Sequence, residues 1–294
     1  MISLFTFEPV NKALYMKNIM IGLFFSASFF SAFAQHFPEK SWKLAVQLWT
    51  FNKFSFIEAI NRADDCGFKY IEAYPGQKLG GNFEGTLGPS MSMPARKKLK
   101  EFLRGKGITF LAFGVVDGTD DAKKDKDWKD VFAFAKDMGI VEITAMPTAA
   151  QLDMVNDLAA AYHIRVAIHD EPGKNPYDHP DSVLRAIRNR PNLGACVDIG
   201  NWVRNGVNIV DCLKSQLQGR VFSVHLKDVE TAGDAGSPEV ALGQGVCHIS
   251  AILRELNREG FSGFFSIEEP SRGGDINEIK KDIEYFHAQV KMLK

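Results

Sequence analysis

The chain has 294 residues, with 35 Lys and Arg against 36 Asp and Glu, so its formal net charge at neutral pH is −1. Hydrophobic residues make up 45% and charged residues 24%, which are ordinary globular proportions and exclude a disordered, collagen-like or coiled-coil chain. The balanced charge gives no electrostatic reason to expect a nucleic-acid partner.

The N-terminal segment predicts export. No charged residue occurs between Lys17 and Glu39, and the apolar run Ile19–Phe33 leads into Ala32-Phe33-Ala34, a small-residue cleavage motif. At about 15 residues, the run is shorter than the roughly 20 of a membrane span. We therefore expect a signal peptide over residues 1–34, with Met16 as an alternative translation start and an uncleaved anchor as the competing interpretation. The mature protein would be a single domain over 35–294, without a stable transmembrane span, in the periplasm or secreted.

After the predicted cleavage site the chain alternates short apolar runs with amphipathic stretches. Each run has four or five residues rich in β-branched or aromatic side chains, as buried parallel strands have. The eight runs are Leu44–Leu48, Tyr70–Ala73, Thr109–Phe113, Val141–Ala145, Arg165–Ile168, Gly194–Val197, Val221–Val224 and Phe264–Ile267.

The stretches between the runs predict helices. Apolar residues recur there at helical spacing, several stretches end at a glycine such as Gly67, Gly139 or Gly260, and Pro180 opens another. Eight strand–helix units predict a closed (β/α)8 TIM barrel. The alternative is a doubly wound open sheet, but its GxGxxG phosphate motif is absent after the first run, which continues Trp49-Thr50.

Four of the predicted strands end in residues that can bind a metal ion. His169, Asp198, His225 and Glu268, the last followed by Glu269, come at the ends of the fifth to eighth runs. Because barrel enzymes work at the carboxyl ends of their strands, these side chains are predicted to converge. A mixed nitrogen and oxygen set suits Mn²⁺, Co²⁺ or Zn²⁺ better than Mg²⁺ or Ca²⁺. The alternative is a ring of polar residues without a metal.

The same rim carries candidate substrate contacts. Glu72 faces the barrel interior if the second run alternates, and Trp49 and Trp202 follow the first and sixth runs, where an aromatic ring could cover a sugar. A structural role is the alternative for all three. The long connections from Tyr74 to Ser92 and from Asp228 to Cys247 are predicted to form walls over this rim.

Two further sequence features are interpreted as structural and not as parts of a catalytic or binding site. The charged run Asp125–Asp130 is interpreted as a solvated helix start. The four cysteines show no CxxC spacing and are interpreted as small buried hydrophobic residues. They are Cys66, Cys196, Cys212 and Cys247.

These motifs together resemble the sugar phosphate isomerase/epimerase family of xylose-isomerase-like TIM barrels, over essentially the whole predicted mature chain. The His-Leu-Lys-Asp strand followed by a Gly-x-Gly turn is the most specific part of the resemblance. The matching segments are Tyr70–Gly76, Asp198–Asn201, His225–Asp228, Gly243–Gly245 and Ile267–Glu268.

The resemblance implies a divalent metal ion, Mn²⁺ in the first place with Zn²⁺, Co²⁺ or Mg²⁺ as alternatives. In the family, the ion is held by a Glu after strand four, an Asp after strand six, a His after strand seven and a Glu after strand eight. The glutamates of strands four and eight also form an acid/base pair. Three ligands carry over: Asp198, His225 and Glu268. The fourth does not, because the fourth run ends Thr144–Thr148 without a carboxylate, and Glu142 lies at its start.

Further departures concern the residues around the implied metal. Asn201 stands where the family often has a His, and His248 where it often has an Asp. His169 and Glu171 on the fifth strand are the nearest replacements for the missing glutamate.

The resemblance and the rim residues together predict metal-assisted enediolate chemistry, in which a base removes a proton beside a carbonyl and an acid returns one. Glu268 is assigned as metal ligand and base, Glu171 as second acid/base, and His169 and Lys227 as contacts to substrate oxygens. Since phosphate-binding motifs are absent and export is predicted, the expected substrate is an unphosphorylated sugar or glycoside.

Three alternative functions are considered for the same barrel. A 3-keto-glycoside lyase or hydrolase would use the same metal and one base for β-elimination. A non-catalytic carbohydrate-binding barrel would have lost its pair of bases. The predicted export, the neutral charge and too few His, Asp and Glu ligands for a three-zinc cluster argue against a DNA-repair phosphodiesterase of related fold. The oligomeric state does not follow from the sequence.

Overall fold

A computed structural model describes residues 42–171 and 176–293 of the chain. The predicted signal peptide over 1–34 and the alternative start at Met16 lie outside the described residues. Within residues 42–171 and 176–293, no helix is both long and apolar enough to cross a membrane.

Eight parallel strands close into a barrel, which confirms the predicted fold. The barrel strands are β1 (Lys43–Gln47), β2 (Tyr70–Ala73), β5 (Thr109–Asp117), β6 (Glu142–Met146), β7 (Arg165–Ile168), β8 (Leu193–Asp198), β9 (Val221–Leu226) and β12 (Phe264–Ile267). Around the barrel the order is β1, β12, β9, β8, β7, β6, β5, β2 and back to β1, so the open doubly wound sheet is excluded. The predicted runs match these strands to within one residue, except that β5 and β9 extend further at their carboxyl ends.

Helices connect the strands on the outside of the barrel. Ser55 closes a capping box with Glu58 at the first helix, and Gly139 ends the third in the left-handed conformation, as the sequence predicted for that glycine. The helices are α1 (Phe56–Asp65), α2 (Met93–Lys106), α3 (Asp125–Met138), α4 (Leu152–Tyr162), α5 (Pro180–Ile187), α6 (Ile199–Arg204), α7 (Ile209–Cys212), α8 (Ile249–Arg258) and α9 (Ile276–Lys291).

The main hydrophobic core lies between the barrel and these helices. Large side chains such as Phe56, Trp128 and Phe265 are fully buried there. Trp202 on α6 belongs to the same core and is 0% exposed. A ring without solvent contact cannot cover a sugar in a cleft, so the expected substrate contact at Trp202 is wrong, and its alternative as a packing residue holds.

Both long connections form short antiparallel hairpins instead of irregular loops. The first contains β3 (Lys78–Gly80) and β4 (Phe83–Thr86), and the second contains β10 (Asp228–Val229) and β11 (Glu239–Val240). Their backbone pairing makes them fixed walls beside the carboxyl ends of the strands.

Asp228 fixes the second connection to the barrel. Its buried carboxylate accepts hydrogen bonds from the backbone N–H groups of Val229, Gly243, Gly245 and Cys247, at 2.8–3.1 Å. The two glycines are required by space: a Cβ at Gly243 would lie 2.2 Å from the Tyr285 ring, and one at Gly245 would lie 2.3 Å from the Asp228 carboxylate. The Gly-x-Gly motif is therefore a structural partner of this aspartate.

Replacing Asp228 by Asn should lower the free energy of unfolding by about 2–4 kcal/mol, because one carboxylate oxygen becomes an NH₂ group facing backbone donors. Urea denaturation of the two proteins measures the difference.

The matched control is Asp234→Asn in the same connection. The exposed Asp234 carboxylate accepts a single N–H, that of Gly236. We expect this control to stay within about 0.5 kcal/mol of the natural protein. Equal stability of the Asp228→Asn protein and the natural one would contradict the anchoring role of Asp228.

Candidate metal and active site

Four ionisable side chains meet at the carboxyl end of the barrel. His169 follows β7, Asp198 ends β8, His225 lies near the end of β9 and Glu268 follows β12. One nitrogen or oxygen atom from each lies within 4.8 Å of those of the other three, and all four residues are buried. The strand register produces this convergence, because Asp198 pairs with His225 across β8 and β9.

His225 is held from both sides. Its Nδ1 lies 2.9 Å from Glu268 Oε2, and its Nε2 lies 2.9 Å from Glu72 Oε2. Glu72 in turn accepts hydrogen bonds from the hydroxyls of Thr144 at 2.6 Å and Ser266 at 2.9 Å. A carboxylate on the far nitrogen of an imidazole is the usual support of a metal-binding His.

Glu72 does not reach the cleft. It is 0% exposed and lies beneath His225, which separates it from any substrate above. The expected substrate contact at Glu72 is therefore wrong, and the residue is a positioning residue for the imidazole. Alternation along β2 correctly predicted that it faces the interior but could not give its depth.

Asp198 is oriented by Asn201 and by Asp170, a residue for which no role was expected from the sequence. One of its oxygens accepts the backbone N–H of Asn201 at 2.9 Å and so caps α6. The Asp198 N–H donates to the Asp170 carboxylate at 3.0 Å, and the Asn201 side chain donates to the Asp170 carbonyl oxygen at 3.0 Å. Asp170 lies next to His169, but nothing in its spacing distinguishes it from a solvated loop residue.

Lys227 places an ammonium group among the carboxylates. Its Nζ lies 2.8 Å from Asp198 Oδ2 and 3.4 Å from Glu268 Oε2. Against the opposing effect of burial, these two carboxylates raise the pKa of Lys227. Gly200 makes room for the stem, because a Cβ there would lie 2.6 Å from Lys227 Cγ. The contact of Lys227 with substrate oxygens, expected from the sequence, stays a prediction.

His169 is a neutral imidazole at neutral pH. Burial, with the nearby His225, holds the pKa of His169 well below its usual range. Its Nε2 lies 3.2 Å from His225 Nδ1, and its Nδ1 has no hydrogen-bond partner among the described residues. A neutral ring nitrogen with a lone pair is what a metal ion requires of a His ligand.

The donor set fits a divalent metal ion. The two imidazole nitrogens face each other at 3.2 Å, with the Asp198 and Glu268 carboxylates beside them. Two nitrogens and two carboxylate oxygens suit Mn²⁺, Co²⁺ or Zn²⁺. The thiol of Cys196 also lies within 4.8 Å of both rings, but burial raises its pKa to about 12, so it stays protonated and a poor ligand.

The end of β6 contributes no carboxylate to this set. The strand ends at Met146, while Glu142 at its beginning is buried in an ion pair with Arg165, 2.5 Å away. Glu269 is not an alternative to Glu268 either: its carboxylate pairs with Arg272 on the outer side of the strand end.

A cleft of about 240 Å³ opens above the cluster. Its apolar wall includes Trp49, which is 44% exposed and packs edge-on against Tyr74 with ring centroids 4.8 Å apart. Gln47 fixes this wall by accepting the Trp49 N–H at 2.9 Å. Glu268 lines the base of the cleft, so the metal-ligand cluster is open to a bound molecule.

Glu171 lines the same cleft and is half-buried. Burial, and then the negative charge of Glu268, raise the pKa of Glu171 to about 7. A carboxyl group with a pKa near neutrality can both take and give a proton at physiological pH. Glu268 differs: despite burial, the Lys227 ammonium and the His225 hydrogen bond hold its pKa well below the usual range, so it is ionised.

The fold and site define a closed (β/α)8 barrel with a buried His, Asp and Glu cluster at the carboxyl ends of its strands. The chain belongs to the xylose isomerase-like TIM barrel family, whose model matches residues 60–289. This family membership confirms the resemblance on which the expected chemistry was based.

Solved structures agree with this family assignment. An uncharacterized protein from Parabacteroides distasonis is 32% identical, with a TM-score of 0.68 over 84% of this chain and 99% of its own. D-allulose 3-epimerase from Methylomonas sp. is 15% identical, with a TM-score of 0.64 over 85% and 97%. The probable 3-DHS dehydratase AsbF from Bacillus anthracis is 16% identical, with a TM-score of 0.64 over 83% and 98%. A comparison with curated proteins finds no match.

Two substitutions should shift metal affinity in opposite directions. Glu72→Gln should weaken Mn²⁺ or Zn²⁺ binding by about 10–100-fold, the usual effect of losing the carboxylate behind a His ligand. Lys227→Met should tighten it by about tenfold or more, because a like charge and a competitor for Asp198 and Glu268 are removed. Isothermal titration with each metal measures both.

Glu84→Gln and Lys214→Met, at exposed positions away from the cluster, are the matched controls and should leave the affinity unchanged. His225→Ala should abolish most of it while the fold, followed by circular dichroism, persists. Weaker metal binding by Lys227→Met would show that the ammonium organises the carboxylates for the ion.

Proposed function

We propose that the protein is an enzyme that moves a proton at a carbon beside a carbonyl of an unphosphorylated sugar or glycoside. The observation that carries this proposal is the cleft, which brings Glu171 together with Glu268 of the buried metal-ligand cluster and with an aromatic wall. Two proteins that share the fold are named as a D-allulose 3-epimerase and a probable 3-DHS dehydratase.

His169, Asp198, His225 and Glu268 would hold the metal ion. A bound ion would supply Lewis-acid polarisation of the substrate carbonyl. Glu171, whose pKa is about 7, takes or returns a proton at the carbon facing it. Lys227 donates hydrogen bonds to substrate oxygens, and Trp49 covers an apolar sugar face.

The charges around the cleft favour an unphosphorylated substrate. Asp121, Glu171 and Glu268 are three acidic residues among those that line it. The Lys227 ammonium lies beside Glu268, but its charge is already balanced by the carboxylates of Asp198 and Glu268. A phosphate dianion would meet like charge here, whereas sugar hydroxyls can donate to carboxylate oxygens.

Solvent deuterium exchange into a panel of keto-sugars, followed by NMR with metal-loaded protein, tests the proposal. We expect exchange at a carbon next to the carbonyl. Glu171→Gln should lower its rate by about 100-fold or more, the scale of acid/base catalysis.

The control is Glu284→Gln, an exposed residue on the outer helix α9, which should exchange at the natural rate. Metal binding with neither exchange on any sugar nor aglycone release from a 3-keto-glycoside would contradict the enzymatic proposal and favour a carbohydrate-binding barrel.

β-Elimination from a 3-keto-glycoside is the second candidate reaction. It is favoured by the absence of a carboxylate at the end of β6, since elimination needs one base and an acid for the leaving group instead of a symmetrical pair. Release of free aglycone from a 3-keto-glycoside, with no conversion of simple ketoses, would distinguish it from isomerisation.

Export is proposed with the function, because a glycan-processing role outside the cytoplasm agrees with an unphosphorylated substrate. The mature protein recovered from the periplasm or medium should begin at Gln35, as N-terminal sequencing can show. An N-terminus at Met16 or earlier would contradict cleavage.

A further inference from the structure

A second cleft adjoins the first on the same rim. It has a volume of about 260 Å³ and lies between the first hairpin connection and the start of α3. Pro75 and Asp121 line both clefts, so the two spaces share a boundary. We call them the inner cleft, above the metal-ligand cluster, and the outer cleft.

The walls of the outer cleft are held in place. Gly76 and Leu87 close the base of the first hairpin, with the N–H of Gly76 donating to Leu87 O at 2.9 Å. The Arg96 guanidinium donates to the carbonyl oxygens of Pro89 at 2.6 Å and Met91 at 3.0 Å. On the other side, Asp121 accepts the Asp117 N–H at 2.9 Å. These contacts define the shape of the outer cleft.

The sizes of the clefts bear on the size of the substrate. Neither reaches the range of about 300–1,000 Å³ that is typical of small-molecule sites, whereas the two together fall within it. A molecule whose reacting unit lies at Glu268 and Glu171 would enter the outer cleft past Pro75 and Asp121.

The lining of the outer cleft selects for hydrogen-bond donors. Asp121, Asp127 and Asp130 contribute carboxylates and Ser90 a hydroxyl. Lys126 pairs with Asp130 at 2.5 Å, and Asp127 accepts the Lys124 N–H at 2.9 Å, so part of this charge is compensated. Carboxylates accept hydrogen bonds from hydroxyls but repel anions. The run Asp125–Asp130, which the sequence predicted as a solvated helix start, thus also lines a cleft.

We propose that the outer cleft is a subsite for a second, neutral and hydroxyl-rich unit, so that the substrate is a glycoside of at least two units, with the reacting sugar in the inner cleft. The choice of the unit in the inner cleft as the one that reacts rests on the proposed function. The existence of the subsite can be tested by binding alone.

The test compares D-glucose with neutral disaccharides of glucose, namely trehalose, sucrose, maltose and cellobiose, by isothermal titration of the metal-loaded protein. At least one disaccharide should bind about tenfold more tightly than glucose, since it fills both clefts. Ser90→Trp, which places a large ring in the outer cleft, should abolish that difference and leave glucose binding unchanged.

Ser262→Trp is the matched control. Ser262 is exposed and lines a cleft of about 240 Å³ formed by Gly219, Val221 and Phe261 beside the amino ends of β9 and β12. The same substitution there should change neither affinity. Oxidising the reducing glucose of cellobiose to a gluconic acid unit should weaken binding to the natural protein, because that second unit lies in the outer cleft, where its carboxylate meets the aspartates.

The outcomes separate the subsite from the reaction. Equal affinities for glucose and every disaccharide, or a disaccharide preference that survives Ser90→Trp, would overturn the subsite whatever the chemistry. Absence of deuterium exchange, with a disaccharide preference that Ser90→Trp removes, would overturn the reaction and leave the subsite standing.

Discussion

The hydrogen-bonded chain Glu72–His225–Glu268 determines the centre of the molecule. All three groups are buried, and burying an ionised group costs several kcal/mol unless a partner compensates it. His225 uses one ring nitrogen for each glutamate, and Lys227 neutralises Glu268 from the other side. The same pairing that makes burial tolerable also fixes the atoms that face the cleft, so structural stability and preorganisation of the donor set have one cause.

The barrel supplies this arrangement, and the loops around it are stabilised separately. Asp228 anchors the second connection through backbone N–H groups, although its neighbour Lys227 points into the cluster. Alternation along the chain separates the two roles: one residue serves the site and the next serves the wall. A change at the site can therefore alter chemistry without loosening the rim, which is why the stability of the Asp228 anchor and the metal affinity are independent observables.

The sequence predicted the barrel and the convergence of Asp198, His225 and Glu268, because strand ends of a closed parallel sheet must meet at one rim. It could not predict depth. Trp202 and Glu72 occupy the expected elements, yet one packs in the core and the other supports an imidazole from below. Periodicity gives the face of a side chain, whereas its layer depends on strand stagger and on partners distant in sequence, such as Thr144 and Ser266.

The lack of a carboxylate at the end of β6 bears on which reaction the two clefts suit. Met146 leaves the β6 side of the inner cleft without an acid, so the proton-handling groups are unequal: Glu268 is ionised, while the pKa of Glu171 lies at about 7. An unequal pair suits removal of a proton by one group and delivery of a proton by the other to a different atom. In an elimination that different atom is the leaving oxygen, and a leaving unit needs space of its own. The outer cleft, bounded by Asp121, offers such a space, so the proposed second unit and the unequal carboxyl groups agree with glycoside cleavage, the second candidate reaction.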